Sequence, residues 1–483
     1  MSDLDLCFLP ATELVALMVN RKVAAREVLE AHLAQIHRVN PAVNAIVTLA
    51  VDHAKRLAAR ADDAIVRGEQ LGPLHGLPVA HKDLTETKGI RTTYGSPIRA
   101  EFVPDFDSLI VERMVSAGAV TVGKTNTPEW GTGSQTFNRL FGATRNPYDL
   151  AKTCGGSSGG AAVALATGMV PIADGTDMGG SLRNPASFCN VVGLRPSIGR
   201  VPSWPSAAPQ FTLATAGPMA RTVADVALLM RVLGPPDPRH PLTSAVPAEH
   251  FAAPLERDFR GTVVAWSDDL GGLPVDPQVT RAMAPGRALL ASLGCEVRDN
   301  DPDMTDAEEA FRIWRAWYYA LTLGDVLRDR AQDLGDSAAW NTKIGLGLTG
   351  ADLGEAERAR TALYHRMREF LTEHEFLVTL VSQVPPFDVD LPYPGYVGDV
   401  PTESYLDWMR GCYWISPTGL PAASVPFAFT DGGLPVGLQV VGRPGADFGV
   451  LQLAHTIEKA TGFRRVPEIA RPPVADALAT PSR

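Results

Sequence analysis

Apolar residues recur at helical spacing over residues 24–36, where Val23, Val28, Leu29, Leu33 and Ile36 form one stripe. Residues 50–67 repeat the pattern with more Ala and Arg, so residues 1–70 read as a helical segment packed on the rest of the chain. The texture then changes. Gly76-Leu77-Pro78-Val79-Ala80-His81 reads as a turn feeding a short strand. Gly118-Ala119-Val120-Thr121-Val122-Gly123 reads as another, after a helix over residues 110–116. Strand, helix and strand in alternation predict an α/β architecture.

Residues 201–254 hold ten prolines and are expected to loop or extend over the surface. Residues 261–266 and 296–297 fit strands flanking a helix over 280–292. Residues 311–414 read as helical and rich in aromatics. Residues 423–429, the turn Asp431-Gly432-Gly433, and residues 435–441 predict a hairpin of two buried strands, followed by an amphipathic helix over 449–459. There is no internal repeat or low-complexity tract. The expected organisation is one large domain: the segment 1–70, then the main region 71–483 with a helical insertion at about 311–414.

Composition narrows the function. The chain has 483 residues, 44 basic against 54 acidic, and a net charge of −10. Such a surface repels phosphate backbones, which argues against nucleic acid or an anionic membrane as main partner. The N-terminal MSDLDLCFLP is acidic and no long apolar run follows it, so a cytoplasmic protein without a membrane span is expected. Five scattered cysteines without a CxxC pair suit a reducing compartment and argue against a disulfide framework. Ten histidines give no HExxH, and neither metal nor cofactor is expected.

One region stands apart. Cys154-Gly155-Gly156-Ser157-Ser158-Gly159-Gly160 is followed by small residues, then by Gly175-Thr176-Asp177-Met178-Gly179-Gly180-Ser181-Leu182-Arg183. A phosphate-cradling loop is one reading, within a nucleotide-binding module, but a P-loop needs Lys-Ser/Thr where Ala161-Ala162 stand. Gly155-Gly156-Ser157-Ser158-Gly159 also satisfies GxSxG, yet that elbow requires a strand running into the serine, and Arg145-Asn146-Pro147-Tyr148-Asp149-Leu150 is turn-forming.

The stretch from Gly155 to Pro185 resembles the signature of the amidase signature family of serine hydrolases, a GGSSGG loop paired with GTD-x-GGS-x-R-x-P. Three further anchors extend the resemblance. They are the segment ending in Lys82-Asp83, then Val192-Gly193-Leu194-Arg195-Pro196 with Gly199-Arg200-Val201-Pro202, and then Thr418-Gly419-Leu420-Pro421-Ala422 with Gly433-Leu434-Pro435-Val436-Gly437-Leu438-Gln439. The resemblance implies a central mixed sheet wrapped by helices. It also implies an amidase with Ser181 as nucleophile, Ser157 as bridging serine after a cis peptide bond, and Lys82 as terminal base. Met178, Gly179, Gly180 and Ser181 would supply oxyanion-hole amides, and Ser158, Asp177 and Arg183 would support the loop. Three positions depart from the family pattern: Cys154 for the usual Pro, Ala161 for Ser, and Ser416 for Asn.

The chemistry is coherent. A serine hydroxyl is a weak nucleophile until a base takes its proton. Lysine serves as that base only when neutral, which burial favours. Without the motif, Lys82 reads as a solvated lysine, Ser181 as an N-cap and His81 as a core residue on the opposite strand face. Phe311, Trp314 and Tyr318 have the spacing of a packed stripe. The aromatic insertion nevertheless suggests a pocket for a bulky or aryl substrate, lined by Trp314, Trp317, Tyr318, Tyr396 and Trp414. The expected partner is a small amide, carbamate or ester, and a homodimer is compatible with the sequence. The rival is the A subunit of a glutamine-dependent tRNA amidotransferase, which shares the signature.

Overall fold

The computed structural model describes residues 2–244, 246–462 and 465–471; the end of the expected main region, 472–483, lies outside them. Eleven strands form one mixed sheet. In chain order they are β1 (Ile46–Leu49), β2 (Pro78–Lys82), β3 (Val120–Thr125), β4 (Ile172–Asp177), β5 (Val192–Arg195), β6 (Thr215–Ala220), β7 (Val263–Trp266), β8 (Glu296–Asp299), β9 (Phe376–Leu380), β10 (Ala422–Phe429) and β11 (Pro435–Gly442). Across the sheet they run β1-β3-β2-β4-β6-β5-β10-β11-β9-β7-β8. The neighbours β3, β2 and β4 are parallel, whereas β4 meets β6, and β10 meets β11, in antiparallel register.

Helices cover the sheet for the reason the apolar pattern gives. In α1 (Ala25–Val43), Val28, Leu29, Leu33 and Ile36 are buried, and Asn44 ends the helix in the left-handed region at φ 52°. The helix α2 (Val51–Arg67) buries only its alanine stripe and Asp62. The helix α3 (Gly159–Ala166) is buried on every side, which its Gly and Ala content permits. The large mixed sheet enclosed by helices agrees with the expected α/β class and with the expected hairpin.

Three local expectations need correction. The first seventy residues include β1, which pairs with β3; four residues are too few to show a strand period beside two strong helices. The proline-rich stretch contains β6 and the buried helix α4 (Val223–Leu233); Pro218 lies within β6, opposite Asp174 of β4 and one residue outside the run paired with β5. The aromatic region is helical in α5 (Ala307–Arg330), α6 (Asp336–Leu346), α7 (Gly350–Glu373) and the single turn α8 (Arg410–Tyr413), with strand and loop between the last two. The apolar run FLVTL after α7 is β9, buried between β11 and β7. Among the described residues, no helix is long and apolar enough to cross a membrane, and no group of three or more His, Cys, Asp or Glu is placed to hold a metal ion.

Candidate active site

The site lies where parallel strands β2 and β4 end, the side of an α/β sheet that commonly carries ligands. Pairing of Val79 with Ile172 and of Ala80 with Ala173 sets the register. Continued two residues, it places Lys82 opposite Gly175 and His81 opposite Asp174. Side chains alternate along a strand, so the two pairs fall on opposite faces. His81 Nδ1 lies 2.7 Å from Asp174 Oδ1, and both side chains are buried. His81 thus braces the strand, and Lys82 is left on the other face.

Lys82 is fully buried. Its Nζ lies 2.7 Å from Ser157 Oγ, 2.9 Å from Ser158 Oγ and 2.9 Å from Thr176 Oγ1. Three hydroxyls and no carboxylate surround it. Burial pushes its pKa down from 10.5 to about 7, against the pull of Asp174 and Asp177. A neutral amine has two N–H donors and one lone pair, so donation to Ser158 and Thr176 leaves the lone pair for the Ser157 hydroxyl.

The loop that presents Ser157 is held at its carbonyls. Thr136 Oγ1 donates to Gly155 O at 2.8 Å, and Ser134 Oγ donates to Gly156 O at 2.7 Å. The Gly156–Ser157 peptide is cis. The Ser158 amide donates to Ser181 O at 3.2 Å, which ties the two serine loops together. The same bond, with donation by the Gly160 amide to Asn126 O, occupies N–H groups that a phosphate would need. The nucleotide-cradle reading therefore finds no support.

Asp177 organises the second loop. It is fully buried and accepts from the Gly180 amide at 3.0 Å, the Leu182 amide at 3.1 Å and Arg183 Nη2 at 2.9 Å. Arg195, absent from the sequence-based site, adds a bond at 3.1 Å. Burial alone would raise the Asp177 pKa, but Arg183 and Arg195 hold it well below the usual carboxylate range. Arg183 also reaches Gln439 Oε1 at 2.6 Å and Ser416 Oγ at 3.0 Å, so the departure at Ser416 keeps an acceptor for the guanidinium.

The expected oxyanion donors divide. At φ +108° Gly180 sends its amide back to Asp177, and a Cβ there would stand 2.4 Å from Cys412 Cβ. Gly180 thus serves the loop and not the open side. Among the described residues, the amides of Met178, Gly179 and Ser181 have no acceptor. Cys154 is buried, and its thiol is pushed up to about 12 by that burial, which removes it as a neutral-pH nucleophile.

Ser157 and Ser181 share a cavity of about 710 Å³. Of the aromatics expected from sequence, Tyr318 lines it. Trp314 and Trp317 lie behind it, 6.4 Å and 5.6 Å from the ring of Phe211, which stacks on Tyr318 at 4.7 Å. Tyr396 is elsewhere, 64% exposed on a short hairpin, and Trp414 lines a separate cavity with Leu270 and Met304.

Sequence reasoning missed Tyr94, Trp130, Phe211, Tyr319 and Met409, all in the cavity wall. Tyr94 and Trp130 pack at 4.9 Å, each at a left-handed φ (57° and 53°). The Trp130 amide donates to Tyr94 O, and the Tyr94 amide donates to Asp83 O beside Lys82. Bulky residues rarely adopt that conformation, and such strain is retained where packing over-determines it. No periodicity in the sequence marks it.

Residues 27–451 match the amidase family. The chain is 34% identical to an acylamidase of Rhodococcus erythropolis over 95% of its own length and 96% of the relative's. It is 36% identical to the A subunit of a glutamyl-tRNA(Gln) amidotransferase from a Synechococcus species (strain CC9605), over 94% and 96%. A solved bacterial aryl acylamidase of the amidase signature family superposes with a TM-score of 0.90 at 28% identity, covering 96% of this chain and 99% of that one. With its sheet, its two serine loops and its buried lysine, the chain belongs to the amidase signature family of C–N hydrolases.

Proposed function

We propose that the protein cleaves aryl or otherwise bulky amides through an acyl-enzyme on Ser181. The observation that carries this reading is the buried Lys82 amine, 2.7 Å from Ser157 Oγ, beneath a cavity that Ser181 shares with aromatic rings. Neutral Lys82 takes the Ser157 proton as Ser157 takes that of Ser181, and Ser181 Oγ bonds to the carbonyl carbon. Amides of Met178, Gly179 and Ser181 receive the developing oxyanion, where each such donor is commonly worth about 10²–10³ in turnover. The C–N bond then breaks, and Ser157 returns a proton to the leaving nitrogen while Lys82 reprotonates Ser157. Water repeats the sequence on the ester to release the acid and Ser181.

Aryl carbamates and esters present the same carbonyl and are expected side substrates. The 36% identity to an amidotransferase component supports glutamine as the second reading. A panel of aryl amide, acetamide, aryl carbamate and glutamine separates the two. The aryl amide is expected to be the best substrate. A clear preference for acetamide excludes the aryl pocket, and robust glutaminase activity favours the amidotransferase reading. Fluorophosphonate labelling with peptide mapping is expected to mark Ser181.

A further inference from the structure

The cavity wall contains a charge that its own fold does not neutralise. Arg315 lines the cavity from α5 and is only 4% exposed. It donates to Asn341 Oδ1, and its guanidinium lies 4.8 Å from the Tyr319 ring centroid and 5.4 Å from that of Tyr405. Among the described residues no carboxylate pairs with it. One turn earlier on the same helix, Arg312 pairs with Glu308 and Asp407, and the buried Arg183 and Arg195 share Asp177. Arg200 is buried without an ion pair too, but it packs over Phe251 and lines no part of the cavity.

A guanidinium cannot shed its charge when buried, so one that lines a cavity without a carboxylate partner favours an anion inside it. The position is close to the chemistry. A Cβ on Gly179 would meet Phe311 at 2.8 Å and Met409 at 3.0 Å, beside the nucleophile. Arg315 follows Phe311 by one helical turn, about 6 Å along the axis. Glu86 enters the same cavity from another segment, held by the hydroxyls of Tyr94 and Ser108, and repels an anion from its own end.

We propose that Arg315 anchors a carboxylate on the substrate, so that the preferred amide is an acidic one whose anionic end lies toward α5. This deepens the hydrolase reading and rests on it for turnover but not for binding. The planar fork of arginine matches a carboxylate with two parallel bonds, and exclusion of water strengthens the pair.

Two matched substrate pairs test the anchor. Succinanilic acid against butyranilide places the charge on the acyl side, and 4-acetamidobenzoate against 4-methylacetanilide places it on the amine side. In the wild type, one acid is expected to exceed its neutral partner in kcat/KM by about tenfold or more, mostly through KM. That ratio is expected to fall to near one in Arg315→Gln and to an intermediate value in Arg315→Lys. Calorimetric binding of the same four compounds to the wild type provides a readout that needs neither turnover nor a variant. If no compound is cleaved but one acid binds about tenfold tighter than its partner, the anchor stands and the hydrolase reading falls. If neither acid is favoured in turnover or binding, or if the preference survives Arg315→Gln, the anchor is overturned.

Discussion

The floor and the wall of the cavity are built from different materials. The floor is hydroxyls, backbone amides and one amine: Ser157, Ser158, Thr176 and Lys82, joined by bonds of 2.7–2.9 Å at Nζ. The wall is aromatic and drawn from separate segments, with Tyr94 on Trp130 and Phe211 on Tyr318. Under the proposed relay, the floor depends on the identity of nearly every atom, because proton transfer fails when one donor or acceptor is missing. The wall depends on area and shape, which several residues can supply. Substitution should therefore be abrupt on the floor and graded on the wall.

The sharpest break comes at Lys82. Lys82→Met and Lys82→Arg are both expected to lower amide turnover on the order of 10³-fold or more, with the fold retained, since a guanidinium does not become a neutral base. Steady-state kinetics beside thermal melts check this; substantial activity in Lys82→Arg removes Lys82 as base. Beneath the floor, Asp177→Asn leaves Arg183 and Arg195 buried with their charge uncompensated. Urea denaturation is expected to show a loss of about 3–5 kcal/mol.

The wall should yield less. Phe211→Ala removes the ring stacked on Tyr318 and is expected to lower the aryl-amide to acetamide ratio of kcat/KM by roughly five- to tenfold, the scale of one aromatic pair. If that ratio stays constant, the aromatic cluster does not select substrate. Tyr396→Ala, on its exposed hairpin, should change stability by no more than about 0.5 kcal/mol and leave KM for the aryl amide unaltered.

The same division explains how much was legible in the sequence. Floor residues lie in three short runs whose residue types are restricted by backbone demands. Gly180 needs its positive φ, and Gly175 leaves room for Ser158, whose Oγ would stand 2.6 Å from a Cβ. Such constraints leave a readable pattern, and Lys82, Ser157 and Ser181 were legible through it. One expected donor was not: that Gly180 turns its amide toward Asp177 follows from three-dimensional loop closure. The wall is convergence of side chains from segments about 220 residues apart, from Tyr94 to Tyr318, which local period does not encode. Aromatic richness pointed to the right helix, but not to which rings face inward, and it misplaced Tyr396 and Trp414. In the sheet, β9 was hidden because its apolar run comes after three helices, and β6 because it carries Pro218.

Lys82 also links pH to stability, with the sign fixed by the direction of its shift. Its folded pKa of about 7 is below the ordinary 10.5, so the folded protein binds fewer protons than the unfolded chain between those values. This residue's cost is full below about pH 7 and disappears as the pH rises toward 10.5. Lys82→Met is thus expected to gain stability relative to the wild type at acid pH and to lose that advantage in alkali.

The most direct measurement is the rate of fluorophosphonate labelling of Ser181 from about pH 5 to about pH 9, a range that spans an ionisation near neutrality. The wild-type rate is predicted to rise through a midpoint near pH 7 and then level, with Lys82→Met slow and flat throughout. A wild-type rate that stays level across the range, or a Lys82→Arg variant labelled as fast as the wild type, would contradict the account.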